Sequence, residues 1–586
     1  MQRKKTANIL LVVFTISSLF FSGCAFFQSK SQPQNFKLTI MHMNDTHSHL
    51  EPTNTTLKFE GVQTYADLGG FAKVASKIKE VRKSRPDSLL LHAGDAVQGS
   101  FYFTKYSGQP EYEMLSMLKV DAMEPGNHEF DRGPGFLADV SKYIDFSIVS
   151  SNIDASGDEK LKKIIKPYVI KEVAGQKIGI FGLITPETAV NSNPGKILKF
   201  GDEKQAAERT VKELEKAGVN KIVAITHLGY NQDIELAKAV SGIDVIVGGH
   251  SHTLLGDFSA VGLNSEGAYP TAITNKAGEK VFIVQSWEWA KAVGVVDVEF
   301  DDSGHAVKAS GSANIILADN FKQKDKDGKK VDVSPETKAS ILKQIEENPS
   351  IEILADDPEA VAKLAPYKAG VEAMQKLVVV KIAEPLLHIR KPGKHSSGAD
   401  LPGGSQVAPV ICESMLWKAN KSSLKAQIAI LNGGGIRMDI PEGDLTVAGV
   451  NELLPFQNKL ILLELTGKEV KTAIETGLAD ADGSGGGFTY VAGMRYSADS
   501  SKPAWQRLVK AEYKNDSGKW ILLNDSAKYR IITNSYLSGG GNGYDVFKNS
   551  KGYRYDTGFS DAEAFMEYAK QADTIHRPID TEVTMR

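Results

Sequence analysis

Gly126-Asn127-His128-Glu129-Phe130-Asp131 sets an amide, an imidazole and two carboxylates into six residues behind a glycine. On either side lie four further patches of the same chemistry: Asp45-Thr46-His47, Gly94-Asp95, Thr226-His227 and Gly249-His250-Ser251-His252. Most of them directly follow a short apolar run. Leu38-Thr39-Ile40-Met41 precedes the first, Leu89-Leu90-Leu91 the second, Ile222-Val223-Ala224-Ile225 the fourth and Val245-Ile246-Val247 the last. Amphipathic stretches, 71–81 and 205–217, alternate with such runs, which is the pattern of an α/β domain. In an open α/β sheet the loops at the carboxyl ends of the strands meet in one crevice, so the fold itself can bring five distant patches together.

The residue types suit a pair of divalent ions, which need a bridging anion, mixed oxygen and imidazole donors, and an open position for water. Asp95 is the candidate bridge. Asp45, His47 and His252 are assigned to one ion, and Asn127, His227 and His250 to the other. The neutral Asn127 limits the negative charge, leaving the pair net cationic toward a phosphoryl group. Candidate metals are Zn, Mn, Co or Mg. A lone His or Asp at a strand end is usually a satisfied polar group or a cap; five patches in order within one domain are what point to a site. His92, His388 and His395 lack this context and are read as structural or surface residues.

With 586 residues the chain exceeds one hydrophobic core, so two or three folded units are expected. Its net charge of −3 gives no basic field for a nucleic-acid polymer. Arg3, Lys4 and Lys5, an apolar run from Ile9 to Phe21 and then Ser22-Gly23-Cys24 have the three-part layout of an export leader. The small residue before Cys24 matches a bacterial lipoprotein signal, with Cys24 as the lipidated residue, residues 25–36 as a tether, and the protein periplasmic or at the cell surface. The second cysteine, Cys412, then has no partner, so no disulfide framework is expected. The catalytic unit is placed at 37–333, with the charged stretch 322–330 read as a solvated loop. Ser334-Pro335-Glu336 and Asp357-Pro358-Glu359 read as helix starts in a connector, 334–377. A second α/β unit, 378–586, carries the runs 428–431, 460–465 and 529–532 and glycine-rich loops near 433, 483 and 539.

The order of the five patches resembles the calcineurin-like metallophosphoesterases, for which the run at 126–131 is a specific signature. The resemblance implies a four-layer α/β sandwich, His128 as the residue meeting the transferring phosphoryl group, and Asp131 orienting that imidazole. Asn432-Gly433-Gly434-Gly435-Ile436-Arg437, Leu454-Pro455-Phe456 and the stretch 538–544 resemble the substrate domain of 5'-nucleotidases. That family implies a small nucleotide as substrate, with Phe456 and Tyr544 as the rings sandwiching the base and Asn432, Arg437 and Arg390 as polar contacts. Gly540-Gly541-Asn542-Gly543 departs from the family's Gly-Gly-Asp-Gly, which leaves ribose recognition open. Stretches such as His49-Leu50-Glu51-Pro52 look more like bacterial NAD nucleotidases than UDP-sugar hydrolases. The alternatives are a 2',3'-cyclic nucleotide phosphodiesterase with 3'-nucleotidase activity, a sulfate-ester hydrolase, and a catalytically silent surface nucleotide-binding protein.

Overall fold

A computed structural model describes residues 36–586 apart from 327, 457, 484, 580 and 581, and Cys24 therefore lies outside the described residues. In the amino-terminal domain β1 (Phe36–Met43), β2 (Leu89–His92), β3 (Ala122–Met123) and β4 (Ser147–Val149) form a parallel run. β5 (Gln176–Ile184), β6 (Ile222–His227), β7 (Val245–Gly248) and β8 (Lys280–Val284) form a second one. The chain then returns through β9 (Ala292–Phe300) and β10 (Ala306–Leu317) to the first sheet, whose central strands run in the order β10-β9-β1-β2-β3-β4.

Side-chain alternation decides the layering, because successive residues of a strand face opposite sides. Leu38 and Ile40 of β1 join Ile178, Ile180, Val223, Ile225, Val245 and Val247 in a core between the two sheets. Met41 and Met43 of the same strand pack outward with Val74 and Ile78 of α1 (Phe71–Ser84). On the far side Leu183, Ala224 and Ile246 meet Val211 and Leu214 of α2 (Glu203–Lys216) and Leu236 of α3 (Tyr230–Ala239). The result is helix, sheet, sheet, helix, a four-layer sandwich with every strand of the inner run covered on both faces.

Residues 334–377 form two capped helices, α4 (Pro335–Glu346) with Ser334 accepting from Thr337 N, and α5 (Pro358–Gln375) with Asp357 accepting from Ala360 N. Both pack on the first domain: Ile341 and Ile345 of α4 join Leu57, Ile315 and Leu317, and Leu364 and Val371 of α5 join the core beneath α1. The crossing into the second domain is thus confined to residues near Leu377 and Val378, both more than half exposed. The charged stretch 322–330 is not a plain loop: Lys322–Lys324 pairs antiparallel with Lys330–Asp332 at the edge of the first sheet. Exposed lysines on an edge keep such a hairpin from pairing with another chain.

The second domain is built on β11 (Ile428–Asn432), β12 (Lys459–Thr466), β13 (Thr489–Ala492), β14 (Lys528–Asn534) and β15 (Arg554–Ser560), in the order β13-β11-β14-β12-β15. Helices α6 (Ala408–Lys421), α7 (Gly467–Asp480, with a Thr466–Glu469 capping box) and α8 (Asp561–Ala569) close a separate core over it. Cys412 is free and buried in that core.

Candidate active site

The loops leaving β1, β2, β6 and β7, with the turn at 126–130, converge at one end of the amino-terminal domain. Asp45, His47, Asp95, His250 and His252 all adopt positive φ, between 47° and 76°. Such backbone costs about 1–3 kcal/mol per residue and persists only where the surroundings over-determine it. Here the loops after β1 and β2 are zipped together by Asp45 N to Gly94 O at 3.0 Å, His47 N to Asp95 O at 2.9 Å and Ser48 N to Ala96 O at 2.9 Å. Glycine is required by close approach at two places: a Cβ on Gly126 would lie 2.1 Å from Asp95 Oδ1, and one on Gly249 2.3 Å from Ala93 O.

Two groups of side chains gather their ligand atoms within 4.8 Å of one another: Asp45, His47 and His252, and Asp95, His227 and His250. They share a border, because Asp95 Oδ2 is 3.1 Å from His227 Nε2 and 3.7 Å from His47 Nε2. Asn127 Oδ1 lies 3.2 Å from His227 Nε2, which places it with the second group. The imidazoles are oriented from behind. Nδ1 of His47 meets Gln98 O at 2.9 Å, Nδ1 of His227 meets Ala93 O at 2.8 Å, and Nδ1 of His252 meets Glu288 Oε2 at 2.8 Å. An oxygen acceptor at each Nδ1 makes that nitrogen the donor and leaves Nε2 to the centre, the arrangement a cation requires. The Nε2 atoms of His47 and His252 converge to 3.0 Å.

Electrostatics agree with this fit. Burial lowers His47 to about 3 and His250 to about 4. Burial also opposes charge on His227 and His252, but the carboxylate of Asp95 raises the first to about 9, and Asp45 with Glu288 raises the second to about 10. Without a cation the buried carboxylates thus hold protons on these imidazoles, which divalent ions would displace.

His128 stands beside the two groups, its Nδ1 2.6 Å from Asp131 Oδ2 and its backbone N–H donating to Asp95 Oδ1 at 3.0 Å. Burial works against its charge; Asp131 and Asp95 outweigh it and raise His128 to about 9. Ser192 Oγ donates to the other oxygen of Asp131 at 2.9 Å, so the carboxylate is held at both ends.

Three supporting residues escaped the sequence reading. Glu129 accepts from the backbone N–H groups of Asp95, Ala96 and Gly126, at 3.0, 2.9 and 2.6 Å, and so fixes two of the patches to each other. It sits inside the quoted signature, where its charge alone gave no hint of a backbone role. Glu288 orients His252 and is itself held by Lys291 at 2.7 Å; the Lys291 ammonium lies over the rings of Trp287 and Trp289. Ser192 carries no local signal at all.

The second domain reaches this centre through the start of α8 and the end of β15. Gln98 Nε2 donates to Gly558 O and Thr104 Oγ1 to Glu563 Oε1 at 3.3 Å, while Lys459 Nζ of the second domain also donates to Gly558 O at 3.4 Å. Away from that contact the second domain holds a cavity of about 340 Å³ lined by Arg390, Asn432, Arg437, Phe456, Asn458, Tyr536 and Asn542 among others. The size suits a nucleoside. Arg390, Asn432, Arg437 and Phe456 are thus brought together as the sequence places them.

Tyr544 is not part of it. Its ring is fully buried against Phe547, and its hydroxyl is shared with Thr489 Oγ1 at 2.6 Å and donates to Gly487 O at 2.8 Å. The exposed aromatic that lines the cavity with Phe456 is Tyr536, 49% accessible. Tyr544 and Phe547 are spaced three apart and turn the same face to the core beside α7, whereas Tyr536 stands two residues past Asn534, at the carboxyl end of β14 where ligands are met. That position was the available signal.

Residues 38–254 match the family described as calcineurin-like phosphoesterase, and residues 389–549 match the 5'-nucleotidase C-terminal domain. A probable 5'-nucleotidase of Treponema pallidum is 34% identical over 96% of this chain and 96% of its own. The NAD 5'-nucleotidase of Haemophilus influenzae is 32% identical over 97% of this chain and 95% of its own. A solved structure of Haemophilus influenzae NAD nucleotidase superposes with a TM-score of 0.80 at 32% identity, covering 94% of this chain and 99% of that one.

Proposed function

We infer that this chain, which belongs to the 5'-nucleotidase family, hydrolyses phosphate esters of nucleotides at the paired histidine and carboxylate clusters. The observation that carries the reading is the pairing of His128–Asp131 with two convergent ligand groups in one domain, and a nucleoside-sized cavity in the other. Two divalent ions, when bound, supply Lewis-acid polarisation of the phosphoryl group and activation of water. Asp45, His47 and His252 would hold one, Asn127, His227 and His250 the other, with Asp95 between them.

The remaining steps belong to the chain's own side chains. His128, clamped by Asp131, whose carboxylate with that of Asp95 favours the charged imidazole, presents positive charge to the phosphoryl oxygens as water attacks phosphorus in line with the departing oxygen. Its ring is already held in place, so charge stabilisation requires little reorganisation. Phe456 and Tyr536 sandwich the base, which tolerates different bases because each has a π-face. Arg390 and Arg437 hold the polar part of the substrate, and Asn432 braces the cavity wall through Gly486 and Asn542. The cavity and the ligand clusters share no residue, which supports delivery of the nucleotide by a turn of the second domain about residues near Leu377.

Likeness to NAD nucleotidases supports a second substrate, NAD, cleaved at its pyrophosphate before the mononucleotide is dephosphorylated. Export with lipid attachment at Cys24 is supported by the leader pattern; among the described residues no helix is long and apolar enough to cross a membrane. Phosphate release by protein lacking residues 1–24, supplied with Mn²⁺ or Zn²⁺, tests the reading against 5'-AMP, 3'-AMP, 2',3'-cyclic AMP, UDP-glucose and NAD. Release from 5'-AMP, with NAD yielding AMP and then phosphate, is expected. Activity confined to 3' and cyclic substrates would assign the chain to the alternative branch, and silence with metal bound would make it a binding protein.

A further inference from the structure

The cavity of the second domain offers more donor chemistry than a single nucleoside needs. Two guanidinium groups, Arg390 and Arg437, line it, and no carboxylate among the described residues does. Arg437 donates to Gly434 O at 3.3 Å and sits 5.5 Å from the Phe456 ring, while Arg390 has no ion-pair partner among the described residues. Their combined field is felt by His388, which burial and then both arginines, against Asp439, hold at about 4.

The amides extend the pattern, and a backbone group fixes their orientation. Leu537 N donates to Asn534 Oδ1 at 2.8 Å, so Asn534 must turn its Nδ2 toward Asn432 Oδ1, 3.0 Å away. Asn432 therefore has only its Nδ2 left, which donates to Gly486 O at 3.1 Å and to Asn542 Oδ1 at 3.2 Å. With its oxygen engaged, Asn542 is left with the N–H donors of Nδ2 to offer to the cavity. A carboxylate at this position would accept from Asn432 equally well but would present an acceptor and a negative charge. Asn542 has φ 54°, a left-handed backbone that asparagine and aspartate both adopt readily, so the choice between them is one of charge and not of fold.

Ribose recognition divides on this chemistry. A carboxylate reads free ribose hydroxyls and repels a phosphate placed there, whereas arginine accommodates the phosphate through charge-assisted hydrogen bonds. We propose that the cavity takes ribonucleotides bearing a second phosphate at the 2' or 3' position, with Asn542 as the residue that admits it; this rests on the nucleotidase reading above. In the reaction the oxygen of water bonds to the 5' phosphorus and the P–O5' bond breaks. Its electron pair stays on O5', which takes up a proton. The products are inorganic phosphate and a nucleoside 2'- or 3'-monophosphate.

The test compares metal-loaded wild type with Asn542→Asp and, as a second variant, Arg390→Gln, on 5'-AMP, adenosine 3',5'-bisphosphate and adenosine 2',5'-bisphosphate, with products identified by phosphorus NMR. Wild type is expected to process at least one bisphosphate with kcat/KM no lower than that for 5'-AMP, losing the 5' phosphate first; which isomer is preferred locates the second phosphate. Each variant is expected to lower the ratio of bisphosphate to monophosphate kcat/KM by at least about tenfold, the size of one like-charge contact or one lost charge-assisted bond. Preference for 5'-AMP over both bisphosphates by more than about tenfold, an unchanged ratio in both variants, or loss of the ribose phosphate first would overturn the proposal. Should metal-loaded wild type hydrolyse nothing, the nucleotidase reading falls. Calorimetric binding of the bisphosphates, weakened in Asn542→Asp, would then keep the cavity assignment, and absence of binding would remove it as well.

Discussion

The two halves of the site are built by opposite means. The ligand clusters are buried, strained and over-determined: positive-φ loops zipped by backbone hydrogen bonds, imidazoles fixed by carbonyls and by Glu288, and a carboxylate, Glu129, spent entirely on backbone N–H groups. The nucleotide cavity is open, and its two aromatic rings, Phe456 and Tyr536, are about half exposed. Chemistry that tolerates displacements of only a fraction of an ångström has to be held by many groups at once, while a cavity that must admit and release substrate cannot be. Substitutions in the first half should therefore act on kcat or on metal loading, and substitutions in the second on KM.

The largest effect is expected from Asp95→Asn, which removes the charge at the border of both clusters. Its kcat should fall by more than about 10³-fold, over 4 kcal/mol of transition-state stabilisation, and elemental analysis should find less than the full metal content. Next comes His128→Asn, with a loss of about 10²–10³ in kcat, unchanged metal content and KM within about threefold; a KM effect larger than the kcat effect would blur the division. Glu288→Gln touches neither substrate nor metal and should weaken metal affinity about 10- to 100-fold through His252, measured by competition with a chelator.

In the open half, Phe456→Ala and Tyr536→Ala should each raise KM about 5- to 150-fold, as expected for about 1–3 kcal/mol of stacking per ring, with kcat nearly kept. Tyr544→Phe is the internal control: leaving Gly487 O and Thr489 short of a partner should cost about 1–3 kcal/mol of stability in chemical denaturation without moving KM. If Tyr544→Phe changed KM and Tyr536→Ala did not, the assignment of the rings would be reversed.

The smallest signal concerns protons. His227 and His252 are raised to about 9 and 10, so both are charged at pH 7 in the metal-free protein, and ligation requires them neutral. Metal loading at pH 7 should release protons, and apparent metal affinity should fall as pH falls below about 10, more steeply below about 9. Calorimetric titration in buffers of different ionisation enthalpy measures that release; none at pH 7 would mean that the cluster is organised differently.

How much of this could be read from the chain follows the same division. The strand cores at 38–41, 89–91, 222–225 and 245–247 all lie within observed strands, since period and β-branched content signal local structure directly. The placement of Asp45, His47, Asp95, Asn127, His227, His250 and His252 at one end of the sheets follows from strand order, because each patch is tied to the end of a strand or to the turn at 126–130. Tyr544 and Tyr536 show the limit. Both are tyrosines in the same glycine-rich neighbourhood, and only the packing of Tyr544 against Phe547 and the bond to Gly487 decide which is core.

What the sequence determines by itself is the set of chemical groups and their attachment to strands, because both are local. The supporting contacts came only from the tertiary structure: Glu129 across to Asp95, Ser192 behind Asp131, and Leu537 N–H setting the direction of an amide chain that ends at Asn542. Each of these joins residues by geometry within a folded loop, where a hydrogen bond's direction depends on backbone placement and leaves no periodicity or composition to read.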